Sequence, residues 1–289
     1  MKGPIKYLIY LGVGAFFFIF FLFFTFPFDI LKGQIIHQIE DGLGGQYRLK
    51  VQKMSAGLIT GFTFKGLEVV KKQEGQDVLV LKSSRLKVNP SIFALIQKKM
   101  NASYSLLIGK GEIYGKFSDS TTQTAVEINF DEVSLSEFKL LSNPDGINLK
   151  GLIDGSYEMS LNKKDFSKNT GKMDLDLKNW VMEPYKIKMD PQNPETTMEL
   201  PKINLTGGKG SHLKGTLSKN TFNISELKLQ GGDVDANMKG NVQLTPLPEN
   251  MTLDLSGKVK LSENVAKGIP ILSLLEQQKN PDGSYDLQL

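Results

Sequence analysis

The chain has 289 residues, no cysteine, two histidines, and 35 lysines and arginines against 31 acids. Without cysteine there is no disulfide framework and no thiolate to bind a metal or attack a substrate. Setting aside Lys2 and Lys6 leaves 33 cations against 31 acids, a near-neutral body with interspersed signs that offers no electrostatic footprint for nucleic acid.

Residues 1–6 carry those two lysines, and the next twenty-two, Tyr7 to Phe28, carry no charge. A helix needs about 20 apolar residues to cross a hydrocarbon core of about 30 Å. Residues 7–28 are therefore expected to span a membrane, with Tyr7, Phe16, Phe20, Phe24 and Phe28 among the anchoring side chains. A cleaved signal peptide has a shorter apolar core and a small-residue site, whereas here phenylalanines continue to Phe28 and Asp29 follows. Lysines ahead of the span place the N-terminus in the cytoplasm and residues 29–289 on the other side.

Behind Asp29, a plausible N-cap, Leu31, Ile35, Ile36, Ile39 and Leu43 recur at helical spacing, which predicts a short juxtamembrane helix within 29–45. From residue 46 the period drops to two. Tyr47, Leu49 and Val51, then Phe62 and Phe64, then Leu67 and Val69 alternate with polar neighbours, as strands with one wetted face do. The longest run is Ile147 to Leu161, and the pattern returns at Met173–Leu177, Leu213–Leu217, Val234–Leu244 and Leu253–Leu261. Short helices or turns are expected only at Ser91–Lys99, Ser134–Leu141 and Glu263–Gln278, the last broken by Pro270. Four prolines between Glu183 and Pro201 mark a loop, giving a first β lobe at 46–182, a proline-rich loop at 183–201 and a second β lobe at 202–289. Asp154–Leu161 (DGSYEMSL) and Asp282–Leu289 (DGSYDLQL) form an approximate repeat, each expected to be a turn feeding a strand.

Sites for chemistry are sparse, and no catalytic residue, metal or cofactor is expected. His37 and His212 lie far apart in sequence without clustered carboxylates. Asp233 and Asp235 open a segment resembling a calcium loop, but Met238 stands where glycine is required and Leu244 where a bidentate glutamate is required. Gly207–Gly215 lacks the order of a phosphate loop and reads as a hairpin connection. Asp174 and Asp176 share a strand face among lysines, as on a wetted surface.

What remains is the apolar face. About a dozen strands spaced 4.7–4.9 Å apart extend roughly 55–60 Å, more than a few short helices can cover. Either the sheet closes on itself as a sandwich or barrel, or it leaves a groove wide enough for acyl chains or a partner's strand. Tyr47, Leu49, Val51, Phe62, Phe64, Ile153, Tyr157 and Leu175 are the candidate groove residues. Exposed edge strands would invite strand addition by a partner. An outer-membrane barrel fits poorly, because one tryptophan and eight tyrosines make weak aromatic girdles.

The order of a signal anchor, a short helix, YRLKVQKMSAGLITGFTFKGLEVV (Tyr47–Val70) and LKSSRLKVNPSIFALIQKK (Leu81–Lys99) resembles the AsmA-like class of periplasmic proteins. Length and the late DGSYDLQL strand look most like the type II secretion system protein N (GspN) family of Leptospira and delta-proteobacterial type. The resemblance covers nearly the entire chain through pattern rather than an invariant signature. It implies a mainly β fold in which an N-terminal transmembrane helix precedes a long curved, mostly antiparallel AsmA-like sheet with an apolar concave face and a few short helices. It also implies a single-pass bacterial inner-membrane protein facing the periplasm, a non-enzymatic accessory of type II protein secretion whose partners are the inner membrane and other secretion components. The alternative it implies is a lipid-binding or lipid-transfer groove of outer-membrane biogenesis, meeting phospholipid acyl chains. No catalytic residues carry over.

Overall fold

The structure is a computed structural model that describes residues 33, 36–37, 40–41, 46–57, 61–73, 76–91, 100–139, 148–188, 197–244, 251–268 and 279–288. The expected anchor, including Tyr7, Phe16, Phe20, Phe24 and Phe28, lies outside these residues, as do most of 91–99 and 269–278. Among the described residues no helix is long and apolar enough to cross a membrane. Gly33, Ile36, His37, Glu40 and Asp41 are helical, in keeping with the spacing that precedes the first strand.

The rest is mainly β, as the alternation predicts. The first eight strands are β1 (Tyr47–Gly57), β2 (Gly61–Gln73), β3 (Gln76–Pro90), β4 (Met100–Ile108), β5 (Gly111–Asp119), β6 (Gln123–Ser134), β7 (Leu149–Asn162) and β8 (Thr170–Met182). They are followed by β9 (Tyr185–Lys188), β10 (Thr197–Leu200), β11 (Ile203–Asn204), β12 (His212–Ser218), β13 (Thr221–Leu229), β14 (Val234–Gln243), β15 (Thr252–Leu261) and β16 (Tyr285–Gln288). Among the described residues after β1 begins, helical structure is limited to single turns such as Leu135–Glu137 and a short helix, α1 (Glu263–Gly268).

One antiparallel sheet of 14 strands holds all but β9 and β10, in the order β1 through β8 followed by β12 through β16, with β11 also on β8. The order is open, with β1 at one end and β16 at the other, so the expected alternative of a closed barrel is not what the strand pairing shows. Hairpins account for the simple order, and one is tight: Lys219 and Asn220 both take positive φ (50° and 64°) between β12 and β13, the twist that suits a two-residue connection.

Three local expectations change. The proline-rich stretch contains the β9–β10 hairpin, because Pro184, Pro191, Pro194 and Pro201 all fall outside the paired residues Tyr185–Lys188 and Thr197–Leu200. The sheet passes this level unbroken, with β8 between β7 and β12. Gly207–Gly215 is not a hairpin connection: β11 and β12 both run antiparallel along β8, and the Leu177 and Asn179 amides donate to Ser211 and Gly207 carbonyls between them. Gly208–Gly210 loops out of one continuing strand path. The two DGSY segments also differ. Asp154–Leu161 lies inside β7, whereas Asp282 accepts from the Ser284 amide and hydroxyl at the turn before β16.

A core cluster lies under β13–β15, where Ile203, Ile224, Val234, Ala236, Met238, Leu255 and Val265 are buried together. In β14 burial alternates residue by residue from Val234 to Met238, the period that the sequence carries. Asp233 ties the cover down. Its carboxylate accepts from the Asn204 amide (2.9 Å) and side chain (2.8 Å) and from the Ser262 hydroxyl (3.0 Å), joining β11, β14 and the start of α1.

Candidate functional site: a continuous apolar sheet face

Residues directly opposite each other in antiparallel strands project to the same side of a sheet. Following such pairs from β1 to β16 gives Met54, Phe64, Leu86, Leu106, Ile113, Phe130, Gly155, Leu175, Leu213, Leu227, Met238, Gly257 and Leu287. No polar side chain interrupts this row across thirteen strands. A second row runs Phe62, Val88, Tyr104, Gly115, Ile128, Tyr157, Met173, Gly215, Ile224, Gly240 and Leu255. A third continues it from Pro90 through Phe117, Val126 and Met159 to Leu253.

The intervening rows are polar. Ser55, Thr63, Lys87, Ser105, Tyr114, Asn129, Ser156, Asp174, Lys214 and Glu226 oppose one another in the same way. Cross-strand ion pairs hold parts of this face, including Lys116 with Glu127 (3.7 Å) and Lys214 with Asp174 (3.7 Å). The sheet thus has one apolar and one charged side over nearly its whole width.

Cover on the apolar side is uneven. Val234, Ala236 and Met238 are buried beneath the segment carrying Ile203 and Val265, whereas Ile113, Phe117, Val126, Ile128, Met159 and Leu175 in β5–β8 remain partly exposed. The two phenols within the second row stay neutral: burial pushes both Tyr104 and Tyr157 above the ordinary tyrosine value, with nearby Glu127 adding to the effect at Tyr104. The Tyr104 hydroxyl donates to the Glu127 carbonyl (3.0 Å), so its polar tip is satisfied inside an otherwise apolar row.

Of the candidate groove residues, Phe62, Phe64, Tyr157 and Leu175 lie in these rows. Ile153 pairs with Val133 and Leu177, both fully or nearly buried at the margin of the face. Tyr47, Leu49 and Val51 are set apart, opposite Lys71, Val69 and Leu67, with the strand parity contrary to Met54. Gly66 marks the division. It takes φ +62° and lies against Gln52, whose side chain would be 2.4 Å from an added Cβ. Phe130, Ile128, Val126 and Phe117 belong to the face although the sequence reading did not single them out; the signal for the first three was the alternation in AVEINF, and for Phe117 that in IYGKF.

A pocket of about 580 Å³ opens across β5–β8, lined by Lys116, Glu127, Glu158 and Lys172 together with Val126 and Met159. Its charges oppose one another in the order lysine, glutamate, glutamate, lysine, so each carboxylate has a cation across one strand gap. His212 contacts Glu226 (2.9 Å), and His37 contacts Asp41 (3.6 Å). No three histidine, aspartate or glutamate side chains come together as a metal site among the described residues. Asp235 is exposed within β14, a straight ladder rather than a calcium loop. Comparison with protein-family models, curated proteins and solved structures gives no match for this chain.

Proposed function

We propose that this protein is a non-enzymatic, inner-membrane-anchored protein of the AsmA-like kind, whose apolar sheet face accommodates phospholipid acyl chains on the periplasmic side. The observation that carries the reading is the unbroken apolar row across thirteen strands, backed by polar rows and only partly covered over β5–β8. A face of that length does more than stabilise a domain, because an isolated core needs cover along its whole extent. The uncharged stretch at 7–28 supports the anchor, and the segments 47–70 and 81–99 support the AsmA-like relationship.

Benzoylphenylalanine placed in the full chain at Ile128 or Leu175, with controls at Asn129 and Asp174, tests the proposal by photocrosslinking in cells. Phospholipid adducts at the two apolar positions and none at the controls are expected. No lipid at any position, or equal lipid at all four, overturns it.

A second reading, a structural component of type II secretion, is favoured by the open ends of the sheet. Strand β16 covers Ser256–Val259 of β15, and Leu253 beyond it is 50% exposed. A photocrosslinker at Leu253 that captures a secretion component would favour this reading, and one that captures none would remove its support.

A further inference from the structure

The first three strands carry the chain's net excess of positive charge. Strands β1–β3 contain nine lysines and arginines against two acids, a net +7 in a chain whose total is +4, so the remaining residues sum to −3. The near-neutral balance of the whole body therefore conceals a segregated one.

Within that region Lys53, Lys65 and Arg85 stand directly opposite one another across β1, β2 and β3, and Lys87 follows two residues beyond Arg85. Lys53, Lys65 and Lys87 are exposed. Among the described residues none of the four makes an ion pair, and the Arg85 Nε is buried without a hydrogen-bond partner. Other lysines of the sheet stand opposite acids: Lys82 faces Glu68 (3.1 Å), and Lys116 faces Glu127. Like charges directly opposed destabilise a sheet, so this row is poised for counter-charge from outside the chain.

We infer that the Lys53–Lys65–Arg85 row docks the first hairpin on anionic phospholipid headgroups at the bilayer surface. The inference rests on the membrane-anchored reading above. Strand β1 begins nineteen residues after Phe28. A fully extended tether of that length reaches at most about 65 Å, and any helical portion shortens it. The hairpin is thus held at high effective concentration beside the leaflet, where each lysine contributes about fivefold in affinity and salt screens the attraction.

The test uses the full chain in nanodiscs of phosphatidylcholine, with or without phosphatidylglycerol. Because the chain lacks cysteine, Ser55→Cys accepts a single fluorophore beside Lys53, and Asn237→Cys provides a control on β14. Headgroup-spin-labelled lipid should quench the label at position 55 in anionic discs at low salt, and not at position 237. High salt or the Lys53→Gln/Lys65→Gln pair should abolish that quenching, and Lys53→Arg/Lys65→Arg should retain it. Equal quenching in zwitterionic discs, or undiminished quenching in the glutamine pair, overturns docking. A chain retained by the discs but unquenched overturns docking alone, whereas release from both disc types overturns the anchor as well. Binding to anionic discs only at low salt upholds docking and overturns the anchor.

Discussion

Deleting Glu226 should be tolerated, whereas deleting Asn237, one strand away, should not. Strand β13 carries one residue more than its neighbours between Ile224 and Leu227: β12 advances from Gly215 to Lys214 while β13 advances from Ile224 to Glu226, and β14 spans Gly240 to Met238 while β13 spans Ile224 to Leu227. Removing Glu226 places Ser225 opposite Lys214 and keeps Leu227 opposite both Leu213 and Met238, so the bulge closes with every apolar residue on its present face. The loss is the contact with His212, a solvent-screened pair whose glutamate is 40% exposed and which contributes little to stability. Deletion of Asn237 instead reverses Met238 and Val242 to the polar side and turns Lys239 toward the core cluster. Losing the burial of Met238 and the partial burial of Val242 costs about 2–4 kcal/mol, before the penalty for the lysine, against a total stability of about 5–15 kcal/mol. Thermal unfolding followed through Trp180, the sole tryptophan, reads both outcomes. The Glu226 deletion should shift Tm by no more than about 2–4 °C, and the Asn237 deletion should prevent a cooperative transition. Equal damage from the two deletions would refute the assignment of the faces.

Three further outcomes follow from the same geometry. Val234→Thr buries a hydroxyl in the covered cluster and should cost about 1–3 kcal/mol, whereas Val126→Thr, an identical exchange on the partly exposed face, should cost less than half as much in urea denaturation. Gly155→Ala should destabilise by about 1–3 kcal/mol, seen as a lower urea midpoint, because Gly155 takes φ +124° and an added Cβ would lie 2.1 Å from the Asp174 carbonyl oxygen. The Asn204 amide, with help from Ser262, holds the Asp233 carboxyl below its ordinary value, so its contribution is whole above the unfolded pKa of about 3.9 and is lost as pH falls through the lower folded value. An Asp233→Asn variant should accordingly lose less stability than the parent across that acid interval, and parallel acid-unfolding curves would contradict the assignment.

Strand identity was legible from parity alone: Leu213–Leu217, Val234–Gln243 and Leu253–Leu261 are strands because their apolar residues recur every second position. Register was not legible, since alternation says which residues share a face within one strand but not which residue of the next strand stands opposite. Hence four of the eight candidate groove residues fall in the apolar rows, while Tyr47, Leu49 and Val51 sit outside them. The glycine run at 207–210 misled for a related reason. Glycine signals a departure from the ladder, and only the pairing with β8 shows a loop-out instead of a reversal of direction. Charge was obscured by averaging, because a total of +4 hides the +7 of the first three strands.

The slips in the hydrophobic pattern carry more information than the alternation around them. In β13 the sequence reads Phe222, Ile224, then Leu227, Leu229, with two polar residues where one would preserve the period, and the register shifts there. Strand β6 repeats this with Ile128, Phe130, then Val133, where Glu132 takes φ +48° and the register again shifts. Each slip is absorbed by a bulge because the neighbouring strands do not slip. Strands β1 and β2 contain the same kind of slip, at Val51 to Met54 and at Phe64 to Leu67, yet their register is continuous. Strand β3 slips at the same level, from Ser83 to Leu86. When all three strands slip together no residue is left over at that level, the β2–β3 register shifting only farther along at Val69/Val70, and the accommodation appears instead in the left-handed Gly66 and in a change of which parity is buried. That change leaves Lys53, Lys65 and Arg85 beside the boundary between two apolar sets, so one displacement of the pattern both ends the long apolar rows and aligns the cations.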